Sequence, residues 1–147
     1  MKVKTTRFGT ITAKKEKIIN MPFGILGFPD KKLFVILQHK EDSPFFWYQS
    51  VDDPALAFVI TNPFLFMPDF EVDVEDTVKE MAWNEDSESN QFELYVVVNI
   101  PKGLPEKMTV NLIGPILINN KVSQAVQMVI SNSTYSHKFP LINLATK

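Results

Sequence analysis

The chain has 147 residues, 45% of them hydrophobic with twelve Phe, and a formal net charge of −2. That length favours a single domain over 1–147, and a folded chain of this size buries roughly 70% of the surface its unfolded form exposes, so it can hold its own core. The lack of cysteine excludes disulfides and thiolate metal sites. Met1–Thr6 carries no apolar run of a signal peptide, and no stretch reaches the ~18 apolar residues of a membrane span, so a soluble cytoplasmic protein is expected.

The elements follow in chain order. Lys2–Thr6 alternates Lys with Val and Thr, which suits an exposed first strand. Phe8–Ala13 and Ile18–Met21 are two more short strands, separated by the charged turn Lys14–Lys17. Pro22–Pro29 holds two Gly and two Pro, which rule out a long regular element. Its Phe23, Ile25 and Phe28 are expected to plug one end of a barrel. Leu33–Leu37 is a continuous apolar run, the mark of a central strand. Phe45–Ser50 and Leu56–Thr61 follow after short turns, so the three strands form a meander.

Asp73–Ala82 is the one helix signal. Val74, Val78 and Met81 recur at i, i+4 and i+7 as an apolar stripe. Asp73 fits an N-cap, with Glu75 and Asp76 in the first turn, where the helix dipole favours acids. Asn84–Asn90 is polar and is expected to be the most mobile loop. Phe92–Ile100 is a Val-rich strand. Val110–Ile113 and Ile116–Asn119 are two short strands joined at Gly114-Pro115, where a Pro without an N–H and a flexible Gly turn a corner. Val122–Ile130 alternates, but both faces mix polar and apolar types, so the inward face is not legible. Phe139–Ile142 is expected to dock a tail. The fold class this implies is mainly β: a small antiparallel barrel-like domain with one short helix.

Charge is unevenly spread. Residues 1–32 hold eight Lys or Arg against Glu16 and Asp30, whereas residues 69–93 hold ten Asp or Glu against Lys79. Such stretches are commonly solvated faces, and an acidic one also steers a basic partner. Catalytic chemistry finds little to stand on. The two histidines, His39 and His137, lie in polar turns, and no metal-ligand spacing or phosphate loop is present. No cofactor is expected, and no enzyme activity. The mildly acidic balance, with a pI near 5.7, also argues against direct nucleic-acid binding. A protein-binding role remains. Aromatic residues stand beside acids at Pro44–Tyr48 with Asp52-Asp53, and at Phe64–Phe70 with Glu71 and Asp73, the anatomy of anchors with a charged rim.

Several stretches now point to one family. Phe8-Gly9, M-P-F-G-I-L-G-F over 21–28, P-F-F-W-Y-Q-S-V-D-D-P-A-L-A-F-V over 44–59, Pro63, P-D-F-E over 68–71, N-L-I-G-P-I-L-I-N over 111–119 and Gln127 together resemble the FliW flagellar assembly factors. They span most of the chain in family order. Phe70 stands where a Tyr is usual, and the tail from Tyr135 diverges. The resemblance implies a non-enzymatic, barrel-like cytoplasmic regulator that binds flagellin. When flagellin is exported, the freed protein binds the RNA-binding translational regulator CsrA and relieves repression of flagellin translation by an allosteric route. Neither nucleic acid nor membrane is expected as a direct partner, and the free protein is expected to be a monomer.

The candidate partner-binding residues are Asp69, Glu71 and Asp73, chosen for their alternation and their lack of nearby Lys or Arg. Pro44, Phe45 and Phe46 with Asp52 and Asp53 form a second candidate patch. The competing expectation is a small apolar-ligand barrel whose cavity is lined by Phe23, Phe28, Trp47 and Trp83. A further alternative, an acidic hydrolase, needs two carboxylates converging in one cleft.

Overall fold

The N-terminal hairpin, β1 (Lys2–Thr5) against β2 (Gly9–Thr12), is not exposed on both faces as its alternation suggested. Val3 and Thr5 are buried, because the hairpin lies on the outside of a larger sheet, with Val3 and Ala13 packed on Val35. A computed structural model describes residues 1–38, 40–83, 92–131 and 134–141. His39 and the expected loop Asn84–Asn90 lie outside those residues, as does Ile142 of the expected tail.

The larger sheet contains β3 (Ile19–Asn20), β4 (Leu33–Gln38), β5 (Phe45–Ser50), β6 (Ala57–Thr61), β7 (Phe92–Asn99), β8 (Thr109–Val110), β9 (Ile116–Asn119), β10 (Gln124–Gln127) and β11 (Phe139–Pro140). The meander β4–β5–β6 forms as its apolar runs predict, with Ile36 opposite Tyr48 and Tyr48 opposite Phe58. β6 pairs with β7, β7 with β9, β9 with β10 and β10 with β3. β3 returns to β4, so seven strands close into a barrel. β8 and β11 extend the sheet beside β7.

The corner expected at Gly114-Pro115 is present; its second arm, Ile116–Asn119, is as expected, whereas the first ends at Val110. β8 pairs with Val98–Asn99, and β9 pairs with Phe92–Tyr95 of the same strand. Five residues, 111–115, thus span a gap that β7 crosses with Val96 and Val97. The excess bulges out, and one strand partner becomes two arms with different directions. A Cβ on Gly114 would stand 2.9 Å from the Asn111 side-chain nitrogen and 3.1 Å from that of Gln127, so a larger residue there would push on both side chains.

Strand alternation sorts the core into an inside and an outside. Inward-facing Phe34, Tyr48, Ile60, Ile116, Ile118 and Ala125 are each fully buried. The Phe34 and Tyr48 rings stack at 4.5 Å, and Phe46 meets Tyr95 edge-on at 5.9 Å. Among the described residues the Tyr48 hydroxyl has no hydrogen-bond partner, and burial holds its phenol protonated far above the ordinary tyrosine range. Outside the barrel, Val96, Val98, Val110 and Leu112 form a second cluster.

Helix α1 (Glu75–Glu80) is shorter than the Asp73–Ala82 stripe. Its buried Val78 packs with Trp83 on Leu117 of β9 and on Met128, and Val74 and Met81 pack around them. Asp73 accepts the Glu75 N–H at 3.0 Å, so it satisfies a first-turn donor although Val74 is the boundary residue.

One seam differs from all the others. β10 meets β3 in parallel at a single register pair, Gln124 with Asn20. Beyond that pair the Pro22–Pro29 loop turns away, and Gln127 bridges the gap with its side chain. Its Oε1 accepts the Leu26 N–H at 2.7 Å, and its Nε2 donates to the Gly114 carbonyl at 3.0 Å. The expected barrel plug is only partly there. Ile25 is buried and Phe28, partly exposed, packs edge-on at 5.7 Å on Phe58 at the rim of the core, but Phe23 points outward. Gly24 and Gly27 take positive φ, which folds the loop into a tight reversal that leaves Phe23 and Leu26 at the surface.

A groove between the acidic segment and the open seam

Residues 69–74 link a turn to α1 and present two faces. Phe70 is buried, Val72 and Val74 are half-buried, and Asp69, Glu71 and Asp73 are exposed. The alternation read from the sequence therefore holds, with the apolar side chains clamped to the barrel exterior. The Tyr135 hydroxyl pins the segment by accepting the Glu71 N–H at 2.8 Å, and its ring packs on Phe70 at 4.9 Å.

Glu71 and Asp73 continue into α1, where Asp76 and Glu80 stand on the same side. These four, with Thr77, form one wall of a groove of about 950 Å³, and residues 126–131 form the other. Asp69 lies outside its lining. Among the described residues, Lys79 makes the only ion pair of this region, with Glu75 at 3.7 Å. The carboxylates facing the groove are thus not neutralised by neighbouring cations. They stand exposed along an open trough rather than converging in an enclosed cleft, which is not the arrangement the hydrolase alternative needs.

A second, apolar depression of about 460 Å³ adjoins the segment, lined by Phe64, Phe70, Val72, Val74 and Phe92 among others. Phe64 and Leu65 are exposed, and Phe64 meets Phe70 edge-on at 6.0 Å. Aromatic surface with a carboxylate rim is therefore assembled at Phe64–Asp73.

The second candidate patch is not assembled. Pro44–Phe46 lies at the start of β5 and Asp52-Asp53 follows its end, so the five residues 47–51 separate them, a largely extended span of roughly 20 Å. Phe46 points into the barrel, and Phe45 packs beneath the outer cluster. Asp52 Oδ2 accepts the backbone N–H groups of Lys32 and Leu33 at 3.0 and 3.1 Å, and Asp53 Oδ1 accepts that of Ala55 at 3.0 Å. Both carboxylates fasten turns.

The apolar-ligand cavity is also not found. Phe23 is outside, Phe28 sits at the rim of the core, and Trp47 lies under Arg7, whose guanidinium sits 4.1 Å from the ring centroid. Trp83 is buried under the helix, where its Nε1 donates to Gln124 at 2.7 Å. The four never face one space, and the barrel interior is filled by side chains.

Sequence reasoning placed Phe23 inside the barrel and did not single out Leu26 or Val129. Phe23, Leu26 and Val129 are 67%, 73% and 80% exposed. They border a cleft of about 360 Å³ with Ile113, Val126 and Met128. A signal for Phe23 and Leu26 existed in the positive-φ glycines beside them. None existed for Val129, whose exposure depends on where β3 ends.

A filled, closed seven-strand barrel with exposed acidic and apolar walls defines a scaffold whose distinctive surfaces lie outside the sheet. The FliW protein family profile matches residues 2–141. The flagellar assembly factor FliW of Magnetococcus marinus is 40% identical over 142 residues, covering 97% of this chain and 85% of that protein. The flagellar assembly factor FliW of Bacillus pumilus is 38% identical and covers 94% of each chain. A crystal structure of the flagellar assembly factor FliW superposes with a TM-score of 0.84 at 32% identity, covering 96% of each chain. The chain belongs to the FliW family of flagellar assembly factors.

Proposed function

We propose that this chain is a non-enzymatic, cytoplasmic protein-binding regulator. It binds flagellin and, once freed, binds CsrA and lowers the RNA affinity of CsrA allosterically, which relieves repression of flagellin translation. The observation that carries the reading is the run of exposed carboxylates Asp69, Glu71 and Asp73, continued by Asp76 and Glu80, beside exposed Phe64 and Leu65. An RNA-binding regulator is expected to be basic. An acidic strip accelerates encounter with such a partner, and the apolar residues supply contact once it has docked.

The test replaces Asp69, Glu71 and Asp73 together by Asn and measures association with purified CsrA as ionic strength rises. The expected result is an on-rate at low salt about tenfold lower, with a flatter salt dependence, because steering of this kind changes rates by 10- to 10³-fold. Unchanged kinetics at low salt would reject the strip as the steering element. Linkage supplies a second check. If CsrA loses RNA affinity by some factor when this protein is bound, RNA must weaken the protein's binding to CsrA by the same factor.

A further inference from the structure

We propose that the outer edge of the chain after β10, Val129–Ser131, is a strand-addition site. It would take an extended peptide segment of a partner in which apolar and basic side chains alternate. The inference rests on the protein-binding reading above and names the mode of recognition at a place outside the carboxylate strip.

Extended pairing continues past Gln127. The Met128 N–H donates to the Pro115 carbonyl at 2.8 Å, and the Ile130 N–H donates to the Ile113 carbonyl at 2.8 Å. Only one bond of each pair forms. Pro115 has no N–H, and the Ile113 N–H donates to Asn111 Oδ1 at 3.1 Å. Since the N–H groups of 128 and 130 point toward residues 113–115, the pleat turns the N–H and C=O groups of Val129 and Ser131 the other way. That is the side on which β3 has already ended, and among the described residues these groups bond to nothing.

An open edge invites a further strand, and native edges are usually blunted by Lys, Pro, a bulge or a covering loop. The residues Met128-Val129-Ile130-Ser131 carry no charge and no Pro, and among the described residues Val129 is the most exposed large apolar one. The two walls beside the edge set the chemistry of the occupant. Residues 126–129 line both the apolar cleft with Phe23 and Leu26 and the acidic groove with Glu71, Asp73, Asp76 and Glu80. Side chains of an added strand alternate between two sides. One set would reach the apolar cleft, and the other would meet carboxylates that lack cations.

The loop side of the cleft is held in shape. Gly24 sits at φ +68, with Pro29 backbone atoms 2.6 Å from where a Cβ would be. The Phe28 N–H donates to the Ile25 carbonyl at 2.7 Å. Phe23 and Leu26 are therefore presented by a tight turn anchored to Gln127, and little ordering entropy remains to be lost on docking.

The experiment uses the full chain and a fluorescein-labelled, end-blocked octapeptide of alternating Lys and Val, read by anisotropy. Val129→Pro removes an N–H that the fold does not use and places a ring on the edge. Val129→Thr keeps the N–H. Phe23→Ser with Leu26→Ser strips the exposed anchors and guards against a folding failure of the Pro variant. The expected result is equal affinity for the wild type and Val129→Thr, with at least tenfold loss in Val129→Pro and in the double variant. A Glu–Val peptide should bind at least tenfold more weakly than the Lys–Val one. Undiminished binding by a folded Val129→Pro protein and by the double variant overturns the proposal, as does failure of the wild type to bind the peptide. A wild-type dimer that Val129→Pro converts to monomer also overturns it, since a second copy would then be the occupant. Parallel titrations with purified CsrA and flagellin separate the two readings. If the wild type binds these proteins and Val129→Pro binds both equally well, strand addition alone falls. If the wild type binds neither, the regulatory reading falls whatever the peptide does.

Discussion

The two sides of the barrel are built to different standards. On the β4–β5–β6 side, five register pairs join each neighbouring strand, and the Phe34–Tyr48 stack fills the space they enclose. On the opposite side the barrel closes through one pair between Asn20 and Gln124, and side-chain hydrogen bonds from Gln127 complete the join. The first side buries its aromatics and pairs its backbone. The second leaves apolar side chains and backbone groups at the surface. Stability and recognition are thus assigned to different arcs of one sheet.

The largest expected effect comes from attacking the filled side. Phe34 is fully buried and stacked on Tyr48. Phe34→Ala should cost about 3–5 kcal/mol, the usual range for opening a cavity of that size, as read from the urea midpoint at constant slope. A loss below about 1 kcal/mol would mean that the barrel collapses onto the gap, and the contrast between the two arcs would then be false.

A smaller effect is expected at the seam, where two glycines in one loop can be compared. Both have positive φ, but a Cβ on Gly24 would lie 2.6 Å from Pro29 backbone atoms, whereas one on Gly27 meets nothing within 4 Å. Gly27→Ala should therefore cost only the left-handed conformation, about 1 kcal/mol. Gly24→Ala must in addition move the Pro29 backbone, so it should cost clearly more and should raise hydrogen exchange at the Leu26 amide. Equal costs would show that the loop is already loose.

The contrast between the arcs also explains what could be read from the chain beforehand. The meander was legible because its runs are local: Leu33–Leu37 and Phe45–Ser50 carry their own strand signal and are separated by short turns. The corner at Gly114-Pro115 was legible because Pro and Gly each restrict the backbone in a known way. The parallel join of Asn20 to Gln124 was not, since 103 residues lie between its partners and neither carries a local mark of it. For the same reason Val122–Ile130 gave mixed faces. Ala125 points into the barrel, Met128 packs under α1 and Val129 lies at a free edge, so one short stretch answers to three environments. The second acidic patch failed on a different ground. Composition cannot tell a carboxylate that caps a turn from one that faces solvent.

That last distinction sets the finest expected difference, between Asp52 and Glu71. Both are exposed acids, yet Asp52 accepts two backbone N–H groups at the start of β4, whereas the Glu71 side chain lines an open groove. Removing an acceptor from two N–H groups that remain near water should cost about 1 kcal/mol, so Asp52→Ala should lower stability by that amount. Glu71→Gln touches no such contact and should stay within about 0.5 kcal/mol of the wild type. Its effect should appear instead in the salt dependence of partner association, because a fixed exposed charge acts over a Debye length of about 8–10 Å whether or not it supports the fold. If Glu71→Gln destabilised the protein as much as Asp52→Ala, the strip would be a fastening like the turn at β5, and its exposed carboxylates would no longer argue for a partner.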